Sequence, residues 1–222
     1  MIAVSLFDLT GVMLRPWAEN GYECYAYDIQ HDFVRKKDGI TYVHADLTKS
    51  PGTDYWLPEG VDFISAFPPC NHLAVSGARW FKGKGLRKLS EAIELFACAA
   101  EICESTNAPY MIENPVSTIS TYWRKPDHKF HPWHFSGIEK GDHYTKRTCL
   151  WTGGGFNMPV PDPGDFQLLG EPDDRIHKAA PSPERGNLRS ATPAGFAQAV
   201  FEANRSATGP TVEEPDTLEG TS

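Results

Sequence analysis

Two apolar runs in this chain end in side chains that can do chemistry. Asp62-Phe-Ile-Ser-Ala-Phe-Pro-Pro-Cys70 reads as a buried strand that runs into two prolines and presents a thiol at its tip. Proline locks its own φ, so the pair stiffens the corner and fixes where the thiol points. A thiolate is a strong nucleophile where its surroundings lower its pKa. Tyr110-Met-Ile-Glu113-Asn114-Pro115 ends in the same manner, with a carboxylate in place of the thiol. Each has a plain structural alternative. Cys70 alone reads as a small hydrophobe in a proline turn, and Glu113 alone reads as a turn or capping acid. Cys24, Cys98, Cys103 and Cys149 fall on expected strands or helix faces and read as structural.

The elements that must position these groups follow from the apolar pattern. Residues 2–7, 22–27 (ending at Asp28), 40–44, 61–66, 109–112 and 145–152 read as strands. A short helix is expected within 12–20. A longer one is expected from Leu86 to Ser105, with Leu89, Ile93, Phe96, Ala97, Ala100 and Cys103 on its apolar side. Thr192 is the expected cap of a last helix that has Pro193 at its first position and runs through Ala203. Strands alternating with helices imply an α/β fold: a mostly parallel sheet with helices on both faces. Ligands of such sheets sit at the carboxyl ends of the strands. That singles out Asp8 to Gly11, Asp28, Asp46, Pro68 to Cys70 and Glu113 to Pro115. The organisation expected is a core over 1–152, a Gly/Pro-rich segment over 153–185, a closing helix over 186–204 and an acidic tail over 205–222.

Taken together, Pro-Pro-Cys70 and Glu113-Asn-Pro resemble the catalytic motifs of the cytosine C5 DNA methyltransferases, whose usual forms are Pro-Cys and Glu-Asn-Val. The likeness covers about residues 2–152 and resumes near 186–203. Phe7-Asp-Leu-Thr-Gly11 stands where the family has its Phe-x-Gly-x-Gly cofactor loop, with Leu9 in place of the first glycine. Asp28 and Asp46 stand for the acids after the second and third strands. Thr145-Lys-Arg147-Thr resembles the family's Gln-x-Arg-x-Arg strand, with Arg147 as one of its arginines, and Asn187 to Ala203 resembles the closing segment.

The resemblance implies a Rossmann-like class I methyltransferase that uses S-adenosylmethionine. Cys70 would add to C6 of cytosine and make C5 nucleophilic. Glu113 would stabilise charge building near N3. Arg147 would hold O2 and help keep Cys70 ionised. Gly11 and Phe7 would line the methionine end of the cofactor, Asp28 would accept from the ribose hydroxyls and Asp46 from the adenine amino group. Amino-group methyltransferases end the similar turn in Tyr or Phe, so Cys70 favours methylation at carbon.

The chain has 222 residues and a net charge of −8, from 21 basic and 29 acidic residues. That balance argues against a nonspecific nucleic-acid coat. Part of the excess lies in the tail, in Glu213, Glu214, Asp216 and Glu219. The opposite charge concentrates just after the thiol, where Arg79, Lys82, Lys84, Arg87 and Lys88 interleave with Trp80 and Phe81. Such a segment suits DNA phosphates, or it is a solvated loop and helix start. Only about residues 153–185 are available to read sequence, which points to short recognition or to a target other than long duplex DNA. His128, His131 and His134 lack a paired Cys-x-x-Cys, and a surface loop is expected there rather than a metal site. No apolar run reaches membrane-span length and no leader is evident, so a cytoplasmic protein of a bacterium or phage-infected cell, with no membrane partner, is expected. Two further readings stand beside the leading one: the same chemistry on a free cytosine nucleotide or RNA, and a cofactor- or DNA-binding module without turnover.

Overall fold

The computed structural model describes residues 1–49, 57–178 and 190–206, apart from the side chains of Ser76, Arg79, Trp80 and His177. The expected tail beyond 206, and residues 179–189 of the recognition-like and closing segments, lie outside the described residues.

Eight strands form one sheet. They are β1 (Ile2–Leu6), β2 (Glu23–Asp28), β3 (Arg35–Lys37), β4 (Ile40–His44), β5 (Phe63–Ala66), β6 (Tyr110–Pro115), β7 (His128–Phe130) and β8 (Thr148–Gly153). Their spatial order is β3-β4-β2-β1-β5-β6-β8-β7. The run β4-β2-β1-β5-β6 is parallel. The β3–β4, β6–β8 and β7–β8 pairings are antiparallel. The protein is therefore α/β with a mixed, mostly parallel sheet, and the sequence expectation of that class holds.

Side-chain alternation along the strands sorts the core into two layers. Ala3, Cys24, Ala26, Phe63, Met111 and Leu150 join one, and Val4, Tyr27, Ile64, Ile112, Cys149 and Trp151 join the other. Helix α1 (Arg15–Glu19) and the closing helix (Ala194–Asn204) cover the first layer. There Trp17 stacks on Phe63 with ring centres 4.4 Å apart and meets Phe201 edge-on at 5.1 Å. Helix α2 (Phe81–Glu104) covers the second. It is interrupted by Gly85, whose φ of 77° and ψ of 171° are non-helical, so the regular part begins at Leu86, where the apolar period begins. Its buried stripe runs through Ala92, Phe96, Ala99 and Cys103. The expected Leu89, Ile93 and Ala97 are only half-buried.

Two strands escape a reading by hydrophobic pattern. β3 is Arg-Lys-Lys with no apolar residue, and it pairs with β4 through Asp38-Gly39, both at positive φ (51° and 77°). That is the backbone a two-residue hairpin turn requires. β7 buries only Phe130. The described part of the Gly/Pro-rich segment, residues 153–178, packs back on the chain before β8. Ser136 Oγ lies 2.8 Å from the Pro163 carbonyl and 3.0 Å from His143 Nδ1, and the Thr145 amide donates to the Asp173 carbonyl at 2.7 Å. Among the described residues, no helix is long and apolar enough to cross a membrane.

The closing helix is capped from a distance. Thr192 is not its cap. Pro193 occupies that position without a side-chain hydrogen bond. The Gly195 amide instead donates to Asp142 Oδ2 at 2.7 Å. A Cβ on Gly195 would meet the Phe135 carbonyl at 2.5 Å, so only glycine lets the helix come this close.

Burial pushes the Asp142 carboxyl up to about 6, with Glu139 adding to the rise and the Gly195 amide and Arg175 opposing it. A carboxyl whose pKa is higher folded than unfolded favours the fold when protonated. Its contribution therefore grows as pH falls from about 6 towards about 4, and is lost as pH rises through about 6. Asp142→Asn keeps an acceptor for Gly195 and removes the titration. Between pH 7 and pH 5, the urea midpoint of the wild type should gain on that of the variant. Parallel midpoints across that range would contradict the assignment.

Candidate active site

β5 and β6 are parallel neighbours, so their carboxyl ends emerge side by side with Cys70 after one and Glu113 at the tip of the other. The turns they lead into are stitched together. Asn114, 1% exposed, donates from Nδ2 to the Pro68 carbonyl at 3.0 Å. Beyond Cys70, the Val75 amide donates to the Val116 carbonyl at 3.0 Å and the Thr118 amide to the Leu73 carbonyl at 3.3 Å. The Cys70 carbonyl accepts from the Leu73 and Ala74 amides, both at 3.0 Å, so the thiol sits at the start of a tight turn.

Cys70 is half-exposed. Burial pushes the other thiols up: Cys24 to about 12, and Cys98, Cys103 and Cys149 above their ordinary value. None of those four ionises near neutrality, so the structural reading fits each of them.

Glu113 does not face Arg147. Its Oε1 lies 3.9 Å from the ammonium of Lys146, and the two side chains are 12% and 11% exposed. The antiparallel register explains the choice. Leu150 lies opposite Glu113 and Thr148 opposite Pro115, and Lys146 shares their parity along the chain. Arg147 has the opposite parity and is exposed. The cation beside Glu113 is therefore Lys146, with Arg147 turned to solvent. The signal was present as the two-residue step from Thr148, but without the register either cation of the pair fits the motif. Burial also pushes the phenol of Tyr144 up, with Asp142 and Glu113 adding to the rise.

The loop after β1 is wound around Asp8. Its carboxylate accepts from the Thr10 amide at 2.9 Å, the Gly11 amide at 2.7 Å and Ser5 Oγ at 2.8 Å. Gly11 has φ 69°, and a Cβ there would lie 2.6 Å from Tyr42 Oη, so backbone conformation and space both demand glycine. Phe7 holds φ 55°, whereas Leu9 is not in the left-handed region. The loop thus tolerates leucine where the motif has glycine, because its left-handed residues are Phe7 and Gly11. Asp28, buried at the end of β2, accepts from the Gln30 amide at 2.7 Å, and the Asp8 amide donates to the carbonyl of the preceding Tyr27 at 3.1 Å. Phe7 and Gly11, after β1, and Asp28, at the end of the neighbouring β2, thus lie at the same edge of the sheet. Asp46 is committed to its own turn. It accepts from Thr48 Oγ1 at 2.6 Å and lies 3.3 Å from Lys49, and the Thr48 hydroxyl chiefly holds its carboxyl below the usual range.

The basic segment divides by role. Lys82 and Arg87 are exposed. Lys84 donates to the Asn71 carbonyl, beside the thiol turn, and Lys88 pairs with Glu91 at 2.6 Å. The side chain of Arg79 lies outside the described residues. Among the described residues, no group of three His, Cys, Asp or Glu side chains is placed to hold a metal ion. No family model matches the chain, and no curated protein matches it either.

Asn114→Ala would leave the buried Pro68 carbonyl without its donor. The loss should be about 1–3 kcal/mol, read as a lowered urea midpoint at unchanged slope. An unaltered midpoint would mean that the bond does not hold the two turns together.

Proposed function

We propose that this protein transfers a methyl group from S-adenosylmethionine to C5 of cytosine in DNA through a cysteine adduct at C6. The observation that carries the reading is the clasp between the thiol turn and the carboxylate turn, with Lys146 beside Glu113. A half-exposed thiol and a nearly buried acid–cation pair at adjacent strand ends suit attack on a flat, polar ring. The strand order supports a Rossmann-like methyltransferase, since the order turns outward in both directions from β1, where such sheets bind their ligands.

The residues around β1 fit a nucleoside cofactor. Gly11 and Phe7 form a tight loop whose glycine admits no side chain, and Asp28 presents a buried carboxylate from the neighbouring strand. When bound, the cofactor supplies an electrophilic methyl group. Asp28 would accept from its ribose hydroxyls. Asp46, held by Thr48 and Lys49, is the weaker partner for its adenine.

The chain's own residues would act on the ring in order. The Cys70 thiolate forms a bond to C6, and the displaced electron pair moves onto the ring, where a proton shared with the Glu113–Lys146 pair steadies it at N3. Lys146 keeps positive charge at Glu113 and stabilises the anionic ring. C5 would form its bond to the methyl carbon as the sulfur–methyl bond breaks with its electron pair left on sulfur, and passage of the C5 proton to water would then return the ring electron pair and expel the Cys70 thiolate. A base inside a duplex must first be flipped out to meet the thiol. Activity on DNA would place the protein in the cytoplasm of a bacterium or phage-infected cell.

One observation favours a second reading. The described part of the segment after β8 folds back on residues 133–145, and among the described residues it forms no separate lobe, which suits the same chemistry on RNA or a free cytosine nucleotide.

Transfer of labelled methyl from S-adenosylmethionine should occur on DNA and vanish in Cys70→Ala. DNA containing 5-fluorocytosine should trap a covalent adduct. Lys146→Gln should lower kcat by roughly a hundredfold, whereas Arg147→Gln should lower it far less. Undiminished transfer in Cys70→Ala would refute the adduct route, and transfer to dCMP with none to any polymer would select the second reading.

A further inference from the structure

Two residues past Cys70, His72 forms part of the wall of a cavity of about 250 Å³, lined also by Phe81, Lys82, Lys84, Leu86 and Leu89. The cavity lies where Gly85 interrupts α2. Lys84 ties it to the thiol turn by donating to the carbonyl of Asn71, the residue next to Cys70. Its lining is mainly hydrocarbon and aromatic, and two lysines contribute positive charge. His72 Nδ1 is sealed from solvent and has no hydrogen-bond partner. A buried polar atom without a partner is uncommon and calls for an explanation. Burial, with the Lys84 and Lys88 ammonium groups nearby, holds the imidazole below its usual pKa. A neutral imidazole has one nitrogen that donates and one that accepts.

We propose that this cavity is the subsite for the nucleotide next to the target cytosine in a DNA strand. The neighbouring base lies against Phe81, its polar edge meeting Nδ1 once the His72 ring turns toward the cavity, and its phosphate sits between Lys82 and Lys84. The assignment rests on the proposed function only for placing the cytosine at Cys70. Size limits the occupant. Pockets for drug-sized ligands run from about 300 to 1,000 Å³, so this one takes a single base and not a dinucleotide. Chemistry limits it further. An acyl chain would satisfy the hydrocarbon walls but leave His72 Nδ1 and the Lys82 ammonium unanswered. A base with its phosphate answers both, and gives Lys84 an anion beside its bond to the Asn71 carbonyl. Distance agrees, because two residues of chain span at most about 7 Å, so the occupant of this cavity neighbours whatever meets Cys70. The chain is acidic overall, at −8, and this segment is where positive charge gathers.

The test uses the full-length protein and an oligonucleotide with 5-fluorocytosine as the target and a photoreactive 4-thiothymine on either side of it. Light should crosslink one flanking base to His72 or Phe81, located by peptide mapping. Phe81→Leu should abolish that crosslink and weaken oligonucleotide binding by roughly tenfold. Lys82→Gln, at an exposed position where folding is not at stake, should reduce the salt dependence of binding by about one phosphate contact. If the adduct forms at Cys70 while flanking crosslinks map only elsewhere, the subsite is wrong and methyl transfer stands. If crosslinks map to His72 or Phe81 but no adduct or transfer is ever seen, the subsite stands and methyl transfer falls. If no oligonucleotide is retained at all, the subsite is wrong, whatever the activity on nucleotides.

Discussion

The carboxamide of Asn114 holds the carbonyl of Pro68, and the geometry of the site depends on that bond. Parallel pairing of β5 and β6 brings the two strand ends to neighbouring positions, but it does not fix the loops that follow. Pro68 and Pro69 stiffen the thiol corner without saying where it leans. The hydrogen bond supplies the missing constraint, in a place with 1% exposure where water cannot compete for it. The backbone contacts from Leu73 to Val75 against Val116 and Thr118 extend the clasp and make one rigid body of two turns.

Around that body the charges are placed unevenly. Glu113 and Lys146 are almost shut off from water at 3.9 Å, while Lys82 and Arg87 reach into solvent. Ionic groups are rarely left so nearly buried unless paired. Lysine offers a compact ammonium rather than a planar fork, so it contributes charge at Glu113 with less directional control than an arginine would. The same economy appears in the β1 loop, where one carboxylate, Asp8, gathers two amides and two hydroxyls and so sets the shape that leads to Gly11.

Much of this was legible from the amino-acid string. Strands buried on both faces are near-continuous apolar runs, and six of the eight strands appear that way. The thiol and carboxylate corners follow from proline after such a run. What stayed hidden depends on contacts between distant residues. β3 has no apolar residue and exists because Asp38-Gly39 folds it back on β4. Thr192 looks like a helix cap, yet Asp142 performs that task from far along the chain. Lys146 and Arg147 are neighbours of like charge, and only the pairing of β8 with β6 separates their faces. Asn114 stood in plain view, but its partner, Pro68, is 46 positions away.

The closing helix has an implication for biosynthesis. Phe196 stacks on Phe130 with ring centres 4.0 Å apart, and Phe201 meets Trp17, so the closing helix completes a layer begun by the first helix. As the polypeptide leaves the ribosome, Trp17 and Phe130 are made long before their partners. That side of the sheet stays uncovered until residues 194–204 are made, and the loop that carries Gly11 is braced only when the helix arrives. The layer therefore closes in one step, and before that moment its aromatic face is the part that most needs shelter from other chains.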